Sequence, residues 1–202
     1  LDVRKPTGGD VNRKSTNLHH GVMIGDDFMQ LIENATRNPG FDDSWPLIDP
    51  HSGEVKKVIP AKTLWVKLIQ NRVETGEPYI VFRDTVDEAI PEFQKELGLR
   101  VHQSNLCSEI TLPTNKDRTA VCCLSSVNLE EYDEWKNNDQ FIPDLVRMLD
   151  NVLEHFIQSA PDQLSRASYS AMRERSIGLG AMGFHAHLQR HNIPFESAMA
   201  KG

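Results

Sequence analysis

Apolar residues recur along this chain in two alternating rhythms. Steps of three and four, the spacing of one helix face, run through Phe28, Met29, Leu31, Ile32 and Ala35 and again through Leu64, Trp65, Leu68, Ile69 and Val73. The longest such series is Phe141, Ile142, Leu145, Val146, Leu149, Val152, Leu153 and Phe156. Between the helical stretches lie short apolar runs of strand length at residues 19–24, 79–82, 120–124 and 176–179. The run at 79–82 is apolar throughout, the mark of a strand buried on both sides. Boundary residues agree: Asp26 stands where a helix cap belongs, Pro60 suits a first helical turn, and Gly76 suits a left-handed C-terminal cap. A weaker helical pattern covers residues 88–97, and another follows the last strand as far as His191. Residues 1–18 are polar and turn-rich, with Thr7-Gly8-Gly9-Asp10 as a breaker cluster; residues 38–57 read as loop with one short strand near 45–48. Helices alternating with short apolar strands predict a parallel α/β layer or barrel.

Composition acts here mainly by exclusion. The chain has 202 residues, 39% hydrophobic and 25% charged, enough for one globular domain. Its net charge of −7 is spread over mixed acidic and basic residues, so no nucleic-acid partner is expected. No apolar run approaches the roughly 20 residues that span a bilayer, so no membrane partner is expected either. Three cysteines, an odd number, and no leader-like segment point to free thiols in a reducing, cytoplasmic setting. Leu1 is not a methionine and residues 198–201 read as the start of a further helix, so a piece of a longer protein is expected.

The densest chemistry lies in Gln103-Ser104-Asn105-Leu106-Cys107-Ser108-Glu109-Ile110. If this stretch is extended, its period of two puts Asn105, Cys107 and Glu109 on one face and Leu106, Ser108 and Ile110 on the other. A thiol can attack, bind metal or carry a radical, a carboxylate beside it can take a proton, and an amide can hold a pair of hydroxyls. Free cysteines are most often buried packing residues, but two polar neighbours on the same face would then each need a buried partner. Cys122 and Cys123 point opposite ways on any strand, so only one can share a site with Cys107. The cysteines lack the short paired spacing of a zinc site, and no metal ligand set is expected. The eight histidines, among them His19, His20, His185 and His187, read as surface or packing residues. Gly178-Leu179-Gly180-Ala181-Met182-Gly183 matches the dinucleotide fingerprint G-x-G-x-x-G, but no buried strand precedes it and no acid follows at the right distance. These glycines are expected to allow a tight strand–helix crossing.

Asn105-Leu106-Cys107-Ser108-Glu109-Ile110 resembles the N-L-C-x-E-I signature of class I ribonucleotide reductase catalytic subunits. Cys122-Cys123-Leu124-Ser125-Ser126-Val127-Asn128-Leu129 is similar to the strand that follows it in that family. Residues 175–184, Arg-Ser-Ile-Gly-Leu-Gly-Ala-Met-Gly-Phe, resemble its Arg-x-Ile-Gly-Leu-Gly segment, and residues 1–10 resemble the segment entering the barrel. The resemblance implies the family's ten-stranded α/β barrel with a central finger loop. Residues 1–202 would then be a central portion of the catalytic barrel domain, incomplete at both ends.

It further implies a role for each matched residue. Cys107 would carry the thiyl radical, Glu109 would be the general base, and Asn105 would hold the ribose hydroxyls with Ser104 beside it in the substrate site. Cys122 would be one of two reducing thiols, its partner lying upstream in the family, while Cys123 matches no catalytic position. No cofactor is implied in this chain: a separate metal-containing small subunit would supply the radical and an external dithiol the electrons. The implied partners are a ribonucleotide, that small subunit and a second copy of the full-length subunit. The family's diphosphate loop, radical-transfer tyrosines, shuttle cysteines and specificity loops have no counterpart here, so the fragment alone is expected to be inactive. Three other readings stay open on the residues alone. These are a barrel-fold nucleotide-binding relative without radical chemistry, a cobalamin-dependent class II reductase, and a thiol–metal module of Cys107, Cys122 and Cys123. Leu106, where class II usually has proline, favours class I.

Overall fold

Two of the expected strands pair with each other, and in parallel. In the computed structural model, which describes residues 2–5 and 8–201, β1 (Gly21–Ile24) runs beside β4 (Tyr79–Phe82) with Gly21 opposite Tyr79 and Ile24 opposite Phe82. Parallel strands need a long crossover, and here it contains two helices and a hairpin. The chain divides into two units, residues 1–114 and 115–202.

In the first unit, α1 (Asp26–Arg37) places Phe28 and Ile32 in the core, as its spacing predicts. Its N-cap is Gly25, and Asp26 is the first helical residue. The Asp26 backbone N–H instead donates to Asp84 Oδ2 at 2.7 Å, so a neighbouring segment satisfies the orphan amide. Asp26 and Asp27 then sit in the first turn and Arg37 in the last, where each sign suits the helix dipole. Where loop with one strand is expected, the chain forms an antiparallel hairpin of β2 (Ser44–Ile48) and β3 (Val55–Pro60). β3 is largely exposed on both faces, so it lacks the alternation that betrays a strand. At the hairpin turn Asp49 accepts from the amides of Ser52 and His51, which hold its carboxyl below the usual range.

α2 (Ala61–Thr75) ends at Gly76 in the left-handed conformation (φ 75°), as expected. Its apolar stripe is only partly covered: Leu68 is buried, but Val73 is 82% exposed. The core joins Ile24, Phe28, Ile32 and Ala61, with Trp45, Leu64, Trp65 and Ile80 packed against them. Phe28 meets Trp45 edge-on at 4.9 Å. β4 is less buried than its composition predicts, Phe82 being exposed. The single helix expected at 88–97 is two short ones, α3 (Arg83–Ala89) and α4 (Glu92–Glu96). Pro91 removes an N–H and forces Ile90 into an extended conformation (ψ 153°). Of the expected breaker cluster, Thr7 lies outside the described residues, and Gly8 and Gly9 both take left-handed φ.

The second unit is built on β5 (Cys123–Asn128) and β6 (Ile177–Met182), again parallel, with Cys123 opposite Ile177 and Asn128 opposite Met182. β5 begins three residues later than the apolar run suggests and continues through Ser125, Ser126 and Asn128. Its crossover comprises α5 (Tyr132–Trp135), α6 (Phe141–Ser159) and α7 (Ser165–Glu174). α6 matches its predicted periodicity and buries Leu149 and Leu153. Full burial of one such leucine is worth about 1.5–3 kcal/mol. Arg118, 8% exposed, pairs with Glu174 at the end of α7 and lies over the Tyr169 ring. α8 (Phe184–Arg190) follows Gly183.

The three glycines of the G-x-G-x-x-G run each face β5 or the residues just after it. A Cβ on Gly178 would stand 2.4 Å from Leu124 Cδ2, on Gly180 3.2 Å from Ser126 Oγ, and on Gly183 2.3 Å from Asn128 Oδ1. Gly178 and Gly180 are thus packing glycines within β6, set against the neighbouring strand and not at the expected strand–helix crossing, and only Gly183 stands at a strand–helix junction, before α8. Among the described residues no helix is long and apolar enough to cross a membrane.

Candidate active site

The loop carrying the Asn–Cys–Glu cluster is pinned at its base. Val101, 2% exposed, donates its backbone N–H to Asp87 Oδ1 at 3.0 Å, and Arg100 binds the other carboxylate oxygen at 3.0 Å. The Thr114 N–H donates to the Arg100 carbonyl at 3.2 Å, and Pro113 is buried, so the two strands of the loop leave the body together. Gln103 braces one side: its Oε1 accepts from the Ser104 N–H at 2.9 Å while its amide rests on Gly21. A side chain at position 21 would crowd that amide, at 3.1 Å from its nitrogen.

The tip is a turn and not an extended strand. The Ser108 N–H donates to the Asn105 carbonyl at 3.1 Å, and Ser108 has a left-handed φ of 65°. That conformation costs a serine on the order of 1 kcal/mol, which the turn's hydrogen bonds offset. Asn105 and Glu109 therefore meet by reversal of the chain rather than by strand alternation. Asn105 Nδ2 donates to Glu109 Oε1 at 2.7 Å, and Asn105 Oδ1 accepts from the Ile110 N–H at 3.2 Å. Ser104 Oγ donates to the Ile110 carbonyl at 2.7 Å and closes the neck of the turn. Between the amide and the acid, Cys107 is exposed, as is Leu106 at 56%. Cys107 is thus no buried packing cysteine.

Beside this turn lies a cleft of about 340 Å³ lined by His19, His20, Gly21, Tyr79, Gln103, Ser104, Asn105, Leu106 and Ser108. Cys107 and Glu109 are not among its lining residues. His19 and His20 rest on a buried acid: Glu77 accepts from His19 Nδ1 at 2.5 Å and from the His20 N–H at 3.0 Å, with Arg4 at 3.7 Å. Burial opposes ionisation of Glu77, but the His20 amide, the His19 ring and Arg4 outweigh it and hold the carboxyl below its usual range. Reading residue types alone singled out none of His19, His20 or Tyr79 as cleft residues. Their link to the loop is the β1–β4 pairing, which no local spacing displays.

The other two cysteines belong to the second unit. Cys122 immediately precedes β5 and is half-buried, its Sγ 3.9 Å from where a Cβ on Gly178 would stand. Cys123 opens β5 and is also half-buried. The structure thus brings Ser104, Asn105, Cys107 and Glu109 together on one turn and sets Cys122 at the head of a strand.

A family model described as the barrel domain of ribonucleotide reductase matches residues 1–202. The chain belongs to the ribonucleotide reductase barrel-domain family. Its fold is accordingly part of the reductase barrel. A protein of Frog virus 3 is 50% identical over 203 residues, covering 99% of this chain and 34% of that protein. The ribonucleoside-diphosphate reductase large subunit of Invertebrate iridescent virus 3 is 44% identical over 247 residues, covering 99% of this chain and 39% of the relative. Among solved structures, the class Id ribonucleotide reductase alpha subunit of Actinobacillus ureae superposes with a TM-score of 0.75 at 34% identity. That match covers 98% of this chain and 33% of the other. The chain therefore spans about a third of the length of the reductase subunits it matches.

Proposed function

We propose that residues 1–202 are a central portion of the catalytic barrel domain of a class I ribonucleotide reductase large subunit, and that they reduce a ribonucleotide at C2′. Cys107 carries the thiyl radical, removes the ribose 3′-hydrogen and returns it at the end. Glu109 accepts the proton of the 3′-hydroxyl as the C2′–oxygen bond breaks and water leaves. Asn105 holds the ribose hydroxyls in a near-attack geometry, with Ser104 bracing the turn beneath it. Cys122 is one of two thiols that deliver two electrons and two protons and end as a disulfide. An external dithiol then restores the pair. A metal-containing small subunit supplies the oxidising equivalent that turns the Cys107 thiol into the radical. The assembly is cytoplasmic, and the full-length subunit pairs with a second copy of itself.

The observation that carries this reading is the 2.7 Å contact of Asn105 with Glu109 across a turn that leaves Cys107 exposed between them. An amide and an acid spaced for one hydrogen bond are spaced to bracket a pair of vicinal hydroxyls. The names of the relatives support a diphosphate substrate. In the full-length protein, Cys107→Ser is expected to abolish ribonucleotide reduction while nucleotide binding survives. Turnover retained by that variant would end the proposal.

A further inference from the structure

We propose that Asp133, His187 and His191 form a binding site for a divalent transition metal, with Zn²⁺ the fitting ion, that ties α5 to the C-terminal end of α8. One carboxylate oxygen and one ring nitrogen from each histidine all lie within 4.8 Å of one another. His191 Nε2 is already 2.8 Å from Asp133 Oδ2, across 58 residues of sequence. The histidines are four apart, which stacks them on one helix face, and their rings stand 4.4 Å apart, tilted by 50°.

Two further observations favour an ion over a plain hydrogen bond. His187 Nδ1 is buried and has no hydrogen-bond partner among the described residues, so that ring keeps a nitrogen uncommitted to the protein. Buried polar atoms are rarely left this way. Asp133, for its part, is held by Lys136, whose Nζ donates to Oδ1 at 2.6 Å. That bond orients the carboxylate and leaves Oδ2 facing His191, the arrangement by which an outer partner sets a metal ligand. The Lys136 hydrogen bond, followed by its charge and the His191 ring, also keeps the carboxyl below its usual range, hence ionised and ready to bind.

Zinc bonds of about 2.0–2.1 Å place tetrahedral ligand atoms roughly 3.3 Å apart. At 2.8 Å the Asp133–His191 pair would open by about half an ångström to reach that spacing, and the three ligand atoms, all within 4.8 Å of one another, would draw in around the ion. Two imidazoles and one carboxylate suit zinc, copper or nickel far better than calcium or magnesium. His191 is exposed and Asp133 partly so, which leaves the ion a route in and a fourth position for water. Nothing in the proposed reduction uses these residues.

The test titrates the full-length, chelator-stripped protein with Co²⁺, then displaces it with Zn²⁺. Visible cobalt absorption without thiolate charge transfer is expected, saturating at one equivalent and lost to zinc. His187→Ala, His191→Ala and Asp133→Ala should each weaken binding at least about tenfold, while His185→Ala, on the same helix but against Phe195, should leave it unchanged. Nitrogen NMR of the unaltered protein gives a check that needs no variant: zinc should move the ring nitrogens of His187 and His191 and leave those of His185. The site is overturned by absent cobalt absorption, by thiolate-type absorption, or by binding indifferent to the three substitutions.

Discussion

Gly183→Ala should destabilise the second unit by about 2–3 kcal/mol, a sum of two separable costs. Gly183 has φ 75°, and a residue with a Cβ pays on the order of 1–2 kcal/mol there. The new Cβ would also stand 2.3 Å from Asn128 Oδ1 and 3.0 Å from the Glu130 nitrogen. Asn128 Oδ1 accepts the Glu130 N–H at 3.1 Å and caps the turn after β5, so the methyl group expels a capping amide worth about 1 kcal/mol. Asn128→Ala alone should lose only that cap. The double variant should then cost less than the two singles together, by about 1 kcal/mol, because the expelled group is already gone. Urea unfolding of the chain with fluorinated tryptophan separates Trp135, in this unit, from Trp45 and Trp65 in the other. Single costs that add to within about 0.3–0.5 kcal/mol would refute the clash and leave Gly183 as a plain turn residue.

Arg118→Met removes one partner of a buried pair with Glu174 and should cost about 3–5 kcal/mol; a loss below 1 kcal/mol by the same unfolding assay would show the pair to be effectively solvated. The Glu77 carboxyl is held below its usual range, so its stabilising contribution is present above the ordinary carboxylate pKa and lost as pH falls through the lowered one. Glu77→Gln should therefore flatten the acid limb of the stability–pH curve, and an unchanged limb would count against the His19–Glu77–Arg4 cluster. Glu109→Gln keeps an oxygen for the Asn105 amide but loses the base. In the full-length protein it should lower turnover by at least about 10²-fold with little change in nucleotide binding, and a loss under tenfold would remove Glu109 from proton transfer.

The parts of this fold that could be read in advance are those where one face is apolar and the pattern long. α6 is the clearest case, and the cap at Gly76 follows from glycine's freedom at positive φ. α7 escaped notice because it buries Ala167, Ser170 and Ala171, small residues that make no apolar stripe. β3 is largely exposed on both faces, and β5 continues through serines, so neither shows period two. At the site, a spacing of two residues fits both a strand and a tight turn. The residues of the cluster were legible, whereas their route to one another, through a left-handed Ser108, was not. The spacing of His187 and His191 is plain in the sequence, but Asp133 comes from another element, and only the packing of α8 beside α5 brings it in.

The contact between Asn105 and Glu109 also bears on how a spent sugar would depart. On the proposed reading, a ribose entering the turn breaks one internal hydrogen bond and returns two, one to each hydroxyl. A 2′-deoxyribose leaving it can return only one, so the Asn105 amide is left facing a carbon. An unmatched polar group costs about 1–3 kcal/mol when water is excluded, and the amide can recover that by closing again on Glu109. On that reading, where the bound sugar excludes water, the turn's own hydrogen bond would compete with the product for the Asn105 amide and so favour exchange of deoxynucleotide for fresh ribonucleotide without any moving lid.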